Sequence, residues 1–363
     1  MKDSISIKLQ SEESYSVKIA SDLEFLLSSE KLPDAEFAFL IIDENVEYFH
    51  GERVFSALNK YYQSVLKYVV PSGESSKSVE QWVRLTNFLL ENQVKRNTPV
   101  FVVGGGVTGD LGGFVAASVL RGLPLYHIPT TILAMVDSAI GGKTGINHTT
   151  GKNLIGAFYQ PKAVLMDTKM LATLPEKEWK CGLGEVLKYA CISDKTIFDE
   201  VDALFSDGLP EISERLSALL LRCAQVKAEI VMEDEKESGI RAFLNFGHTF
   251  AHALEAFTAY KEYAHGEAVY IGMIAAMYAS KKMGYAVEVN DLLRFKYLYN
   301  FSPAGHSKHI EDIVTYMYSD KKNRDKNIRL ILLSELENPV LVEAENTALL
   351  KESFEFAFEQ LAI

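Results

Sequence analysis

The first half of the chain alternates short apolar runs with amphipathic ones. Residues 4–9 and 15–19 read as a hairpin. Residues 37–42 form an apolar run that stops at Asp43, and 62–70 hold another that ends at Pro71. Residues 79–91 have helical spacing, with Trp82, Leu85, Phe88 and Leu89 on one side. Residues 100–103, 125–128 and 163–166 read as further buried strands. Strands alternating with helices predict a parallel sheet covered on both faces. Ligands of such sheets bind beyond the carboxyl ends of the strands. Asp43, the glycines 104–106 and the pair Thr130 and Thr131 would gather there.

After about Leu174 the pattern changes. Residues 176–191, 211–232, 248–258, 267–283 and 290–299 all have helical periodicity, with little strand signal until 328–333. The chain is therefore expected to hold an α/β domain over 1–173 and a mainly helical domain over 174–363. It contains no internal repeat and no low-complexity tract.

The chemistry concentrates in a few motifs. Gly104, Gly105 and Gly106 close an apolar run and precede a helix-like segment. A backbone without side chains lets N–H groups approach a diphosphate. In the Rossmann fingerprint the ribose-binding acid follows the glycines by about 20 residues. Here the best acid at a strand end, Asp43, precedes them, so this is not a standard Rossmann half; Asp43 could equally cap a helix. NFGHTFAHALE places His248 and His252 one helical turn apart, YAHGEAV adds His265, and GLGEVLKYA adds Glu185 with Lys188 on the same helix face. Zinc commonly takes three His or carboxylate ligands and leaves a position open. Glu185, His248 and His265 make such a set. His252 is then a fourth ligand or a substrate-facing acid/base, and the plain alternative is ordinary core or surface histidines. Among the cations, Arg121 stands beside Gly122, Lys143 follows Gly141 and Gly142, and Lys152 lies between Gly151 and Asn153. Lys188, Lys227 and Arg241 lie on or beside predicted helices. Any one of these could be a solvated surface residue, but a lysine in a glycine-rich turn reaches a phosphate with little hindrance. Asp137, within the apolar ILAMVDSAIGG, is costly to bury without a partner; a lysine or a cofactor hydroxyl is the natural one.

Composition narrows the classes. The 363 residues are 48% hydrophobic and 24% charged, with a formal net charge of −12. A non-specific nucleic-acid binder needs a basic face, so nucleic acid is not an expected partner. An acidic protein that binds anions must focus its useful cations in one place. Cys181, Cys191 and Cys223 are odd in number and lack paired metal spacing, which fits a reducing compartment. MKDSISIKLQ is no signal peptide, and no apolar run reaches the ~20 residues that span a bilayer. A cytoplasmic protein without a membrane partner is expected.

Together, PSGESSK, GGGVTGDLGGFVAAS, RGLPLYHIPTTILAMVDSAIGGKTGIN, GKNLIGAFYQP, GLGEVLKYA, ESGIRAFLNFGHTFAHALE and HGEAVYIGM resemble the 3-dehydroquinate synthase family, from about residue 43 to about 322. The resemblance implies an N-terminal Rossmann-like α/β domain that binds NAD and a mainly α-helical C-terminal domain that binds metal, zinc or cobalt. It implies Glu185, His248 and His265 as metal ligands and leaves His252 to the substrate. The implied NAD contacts are Asp43, Glu74, Lys77, Gly105, Gly106, Val107, Asp110, Thr130, Thr131 and Thr173, with Asp137, Lys143 and Lys152 shared with substrate. The implied substrate pocket is Asp137, Lys143, Lys152, Asn153, Lys188, Lys227, Arg241, Asn245 and His252. In it, Lys227 and Arg241 would face a carboxylate, and Lys152 and Asn153 a phosphate. Arg121 would reach the neighbouring subunit's site, which implies a homodimer. Lys321 or Lys322 would add a late phosphate contact. The implied activity converts an anionic sugar phosphate, 3-deoxy-D-arabino-heptulosonate 7-phosphate, to 3-dehydroquinate and phosphate. The rival readings are another sugar-phosphate cyclase, such as a 2-deoxy-scyllo-inosose synthase, and a metal-dependent polyol dehydrogenase of the same superfamily. A regulatory module without activity would be expected to lack a ligand or a lysine, and none is missing.

Overall fold

The computed structural model describes residues 3–9, 14–319, 328–344 and 346–362. Lys321 and Lys322 lie outside the described residues. Strands β1 (Ser4–Lys8) and β2 (Ser14–Ala20) form an antiparallel pair. Then come α1 (Leu23–Ser28), β3 (Phe37–Asp43), α2 (Glu44–Leu58), β4 (Ser64–Val70) and α3 (Val79–Glu91). Next are β5 (Val100–Gly104), α4 (Gly106–Ser118), β6 (Leu125–Pro129), a hairpin of β7 (Lys143–His148) and β8 (Gly151–Phe158), and β9 (Ala163–Asp167). Helices α5 (Glu176–Ile192), α6 (Thr196–Phe205), α7 (Glu214–Glu233), α8 (His248–Phe257), α9 (His265–Lys282), α10 (Asn290–Leu293) and α11 (Ile310–Ser319) follow. The chain closes with a hairpin, β10 (Ile328–Glu335) and β11 (Asn338–Ala344), and α12 (Thr347–Gln360). No helix among the described residues is long and apolar enough to cross a membrane.

The chain divides into two compact units. The first runs to Pro175 and takes in Glu211–Lys236; the second comprises Glu176–Pro210 and the chain from Glu237 onward. The first break falls two residues beyond the expected one at 173, but α7 departs from the expected division, which placed it in the helical half. Its buried face, including Leu216, Leu219, Leu220, Ala224 and Val231, packs on β1, β2 and the turn Ala134–Ser138 of the first unit. Helical periodicity shows that one face is buried; it does not say what buries it.

In the first unit a seven-stranded sheet has the order β1-β2-β9-β6-β5-β3-β4. All neighbouring pairs are parallel except β1 with β2 at the edge. The central strands β5, β6 and β9 are buried at every residue, which is why they read as continuous apolar runs without alternation. On one face Leu40, Ile42, Phe101 and Val103 pack with Leu26, Val54 and Leu58 of α1 and α2. On the other, Phe39, Ile41, Val100 and Val102 pack with Leu85, Leu89, Leu111 and Val115 of α3 and α4. The strand order reverses between β3 and β5: β3 leads outward to β4, while β5 lies on its other flank and leads to β6. Such a switch point opens a crevice at the carboxyl ends of the strands.

In the second unit α9 is the central helix, packed by α5, α8, α12 and β10. Its crossing with α5 is made by two glycines. A Cβ on Gly184 would lie 2.3 Å from the Gly266 carbonyl oxygen, and one on Gly266 would lie 1.8 Å from that of Cys181. Residues 290–299, expected as one helix, form the single turn α10 and then a 3₁₀ turn, Arg294–Leu298, where the Leu292 carbonyl accepts the Tyr270 hydroxyl at 2.9 Å.

Candidate functional site

The switch point of the first unit assembles the residues expected there. Asp43 ends β3, and Gly104 ends the neighbouring β5. A Cβ on Gly104 would lie 2.8 Å from that of Thr108 and 3.2 Å from that of Asp43. A Cβ on Gly105 would lie 3.1 Å from Thr131 Cγ2, and the Thr130 N–H donates to the Gly104 carbonyl at 3.0 Å. Asp43, the glycine turn, Thr130 and Thr131 are thus in mutual contact. No side chain caps α4. The first amides of a helix have no partner within it, so Gly106, Val107 and Thr108 present N–H groups to an anion. The Gly109 amide does not join them: it donates to the Gly105 carbonyl at 2.9 Å, as the fourth residue of a helix must. Asp43 is also a helix cap: its Oδ1 accepts from Asn45 N at 2.9 Å and Val46 N at 3.3 Å, and from the Ser72 hydroxyl at 3.0 Å.

Beside this turn Lys77 is ion-paired with Asp110 of α4. Burial pushes the Asp110 carboxyl up, against the pull of Lys77. Asp137 lies in a π-helical turn, Ala134–Ser138, a wide turn frequent at functional sites. Its partner is Lys227 of α7, whose Nζ donates to Asp137 Oδ1 at 2.9 Å and to its carbonyl at 2.5 Å. Thr173 shares a hydrogen bond of 2.7 Å with His50.

The β7–β8 hairpin carries Lys143, Lys152 and Asn153. Lys143 is exposed at the start of β7, just after Gly141 and Gly142, which have φ of 93° and 69°. Lys152 Nζ lies 4.0 Å from Glu74 Oε1. Asn153 has a φ of 55°, uncommon for a residue with a side chain. Arg121 is exposed on a turn in which Leu120, Arg121 and Gly122 have φ of 51°, 64° and 122°. Two successive non-glycine residues in that region mark a strained segment.

The second unit holds the metal candidates. Glu185 of α5, His248 of α8 and His265 of α9 offer donor atoms that all lie within 4.8 Å of one another. His248 Nε2 is 3.4 Å and His265 Nε2 3.6 Å from Glu185 Oε1. His248 Nδ1 donates to the Phe246 carbonyl at 3.1 Å, and His265 Nδ1 to Glu255 Oε1 at 3.2 Å. A carbonyl or carboxylate can only accept, so each Nδ1 carries a hydrogen and Nε2 is the nitrogen turned toward Glu185, where a cation would take the place of any proton on it. These donors fit zinc or cobalt, and the Glu255–His265 pair is the outer support that metal-binding histidines usually have. Burial disfavours charge on Glu185, but Lys188 and His248 hold it well below the usual carboxylate range. Burial pushes His248 down to about 4. It works the same way on His265, yet hydrogen bonds with Glu185 and Glu255 prevail and raise that ring to about 10.

Around this cluster, Lys188 is 1% exposed and ion-paired with Glu185. The His252 ring is 5.6 Å from that of His248 and 6.3 Å from that of His265, outside the three-donor set. Arg241 is 1% exposed. The Asn245 amide donates to Glu237 Oε1 at 3.0 Å and to the Ala242 carbonyl at 3.1 Å. Sequence reasoning missed Glu255, Glu237 and Asn147. Glu255 follows His248 by seven residues, two turns along one helix face, and that spacing could have found it. Asn147 meets Glu74, Lys77 and Asn153 only through the fold and left no such signal.

Comparison with known proteins decides the family. Residues 67–181 match the family described as 3-dehydroquinate synthase N-terminal, and residues 182–323 match 3-dehydroquinate synthase C-terminal. The chain belongs to the 3-dehydroquinate synthase family. It is 40% identical over 324 residues to the 3-dehydroquinate synthase of Listeria monocytogenes serotype 4a, covering 88% of this chain and 87% of that one. Among solved structures, a 2-deoxy-scyllo-inosose synthase complexed with carbaglucose-6-phosphate, NAD+ and Co2+ superposes with a TM-score of 0.84 at 25% identity, over 97% of this chain and 99% of that one. A 2-epi-5-epi-valiolone synthase from Streptomyces hygroscopicus, with NAD+ and Zn2+ bound, does so with a TM-score of 0.80 at 27% identity, over 96% and 97%. The α/β sheet unit and the helical unit are thus the two parts of a 3-dehydroquinate synthase-like fold.

Proposed function

We propose that the chain converts 3-deoxy-D-arabino-heptulosonate 7-phosphate to 3-dehydroquinate and phosphate, the cyclising step of the shikimate pathway to the aromatic amino acids. The sequence of events is oxidation at C5, β-elimination of phosphate, re-reduction, ring opening and intramolecular aldol closure. The observation that carries this function is the donor cluster: two imidazole Nε2 atoms face one Glu185 oxygen, with Lys188 buried against the other.

When bound, NAD supplies a hydride acceptor that is regenerated within each turnover, and the divalent ion, zinc or cobalt, polarises the reacting oxygen. Glu185, His248 and His265 would hold the ion. The amides of residues 106–108, at the positive end of α4, would hold its diphosphate, and Asp43 would accept from its ribose. Glu74, Lys77, Asp110, Thr130, Thr131 and Thr173 complete the cofactor set. Lys227 fixes Asp137 for contact with substrate and cofactor, and with Arg241 it faces the substrate carboxylate. Lys143, Lys152 and Asn153 orient the phosphate, and Arg121 of a neighbouring subunit joins them in a homodimer. Arg241, a rigid planar fork, suits the substrate carboxylate better than a lysine, and Asn245 binds beside it. His252 exchanges a proton with the substrate at its ring nitrogen. Holding a flexible substrate at both its anionic ends keeps the reacting atoms together through successive steps. The cysteines Cys181, Cys191 and Cys223, buried and outside any disulfide, suit a reducing cytoplasm.

The test is phosphate release from the heptulosonate phosphate with catalytic NAD and no net change in absorbance at 340 nm. Chelation should abolish release and leave the circular dichroism spectrum unchanged. Steady NADH accumulation would identify a polyol dehydrogenase. Turnover only of sugar phosphates without a carboxylate would identify one of the other cyclases.

A further inference from the structure

Asn147, near the end of β7, uses both ends of its carboxamide and its backbone N–H on residues of the first unit's site. Its Nδ2 donates to Glu74 Oε1 at 2.7 Å, its Oδ1 accepts the Asn153 N–H at 2.9 Å, and its own N–H donates to the Lys77 carbonyl at 2.8 Å. The register of the hairpin shifts between Ile146 and His148, so at this point the strand ladder is interrupted. A side-chain oxygen holds the Asn153 amide there, at a residue whose φ of 55° needs such support. Glu74 Oε1, the oxygen that Asn147 holds, is also the one 4.0 Å from Lys152 Nζ. Lys77 is in turn ion-paired with Asp110 of α4, the helix that opens at the glycine turn.

We propose that Asn147 is a positioning residue that ties the Glu74–Lys77 segment to the Lys152–Asn153 turn, so that a dinucleotide at the first and a phosphate at the second bind cooperatively. The identity of those two ligands rests on the function proposed above; the link between their sites rests on Asn147. The physical basis is shared ordering. A ligand that immobilises Glu74 also immobilises the carboxamide hydrogen-bonded to it, and through that carboxamide the Asn153 amide. The second ligand then has less freedom left to remove, and by thermodynamic linkage the effect is reciprocal. Only a short carboxamide offers a donor and an acceptor at this reach. Aspartate would keep the acceptor for Asn153 but set a carboxylate against Glu74.

The experiment measures the dissociation constant of NAD for the full-length protein by titration calorimetry, without and with saturating inorganic phosphate. In the wild type phosphate should tighten NAD about five-fold or more. In Asn147→Ala the two constants should agree within about two-fold. Asn147→Asp, which retains the acceptor for the Asn153 amide but repels Glu74, should bind each ligand alone and still lose the phosphate effect. A variant that keeps the full phosphate effect overturns the proposal, as does a wild type that binds both ligands independently; either result leaves the function standing. A wild type that binds neither NAD nor phosphate overturns the function and this link together.

Discussion

Two residues separate roles that a single substitution would confuse. Asp43 both caps α2 and faces the glycine turn. Removing an N-cap costs about 1 kcal/mol, and losing a charged hydrogen-bond partner costs roughly 1–3 kcal/mol of binding. Asp43→Ala should show both effects. Asp43→Asn keeps an oxygen for Asn45 and Val46, so it should melt like the wild type yet bind NAD more weakly. Melting curves paired with NAD titrations check this, and unchanged NAD affinity in both variants would confine Asp43 to its cap. Arg241 poses a cleaner question, because it is fully buried and a surface role is ruled out. Arg241→Lys keeps the charge and loses the bidentate fork. It should lower kcat/KM for the heptulosonate phosphate about 10- to 100-fold, corresponding to roughly 1.5–3 kcal/mol, with NAD affinity unchanged. Steady-state kinetics beside an NAD titration would show it; intact catalysis would remove Arg241 from carboxylate recognition. Asp137 and its lysine show how far one residue can be read. The apolar run around Asp137 demanded a partner, but no spacing pointed to Lys227, ninety positions on.

At the scale of elements, the candidate metal ligands are placed by how closely helices approach. Glu185 adjoins Gly184 on α5 and His265 adjoins Gly266 on α9, and those glycines put backbone against backbone. Gly266→Ala sets a Cβ 1.8 Å from a carbonyl oxygen, which only separation of the helices relieves. We expect a loss of about 3 kcal/mol or more together with weakened metal affinity, measured by denaturation and by competition with a chelator. Gly305→Ala, with nothing within 4 Å of its Cβ, is the control and should stay within about 0.5 kcal/mol. These crossings also show what the sequence could reveal. The strands at 37–42, 100–103, 125–128 and 163–166 and the helix at 79–91 were legible because uninterrupted or periodic burial writes itself into apolar positions. The β7–β8 hairpin was not: β8 has no buried residue and little alternation, and its glycines and lysines read as turns. Helix α2 escaped as well, since only Gly51, Val54, Ala57 and Leu58 of its residues are buried. The donors Glu185, His248 and His265 were legible as a set, because ligand chemistry limits the residue types. Their supports were not, because a carbonyl such as that of Phe246 has no identity in sequence.

For the whole molecule, acid is a foreseeable weakness. His127 of β6 is 6% exposed, and burial lowers its pKa from 6.5 to about 4. Between those values the unfolded chain binds a proton that the folded chain refuses, so stability falls as pH drops from about 6.5 to about 4 and is regained on the way up. The full window is worth about 3 kcal/mol. Denaturant titrations across this range should show that slope in the wild type and a shallower one in His127→Gln; parallel slopes would refute it. The path of α7 sets a different kind of limit. The chain leaves the first unit after Pro175, returns at Glu211 and leaves again after Lys236. A gene fragment ending at Pro175 would therefore express the sheet without the helix that covers β1 and β2, and would leave Asp137 without its lysine. On the ribosome, too, β1 and β2 stay uncovered by α7 until it has emerged, by which time residues 176–210 of the second unit are already outside. Any attempt to prepare the sheet unit alone must splice in residues 211–236.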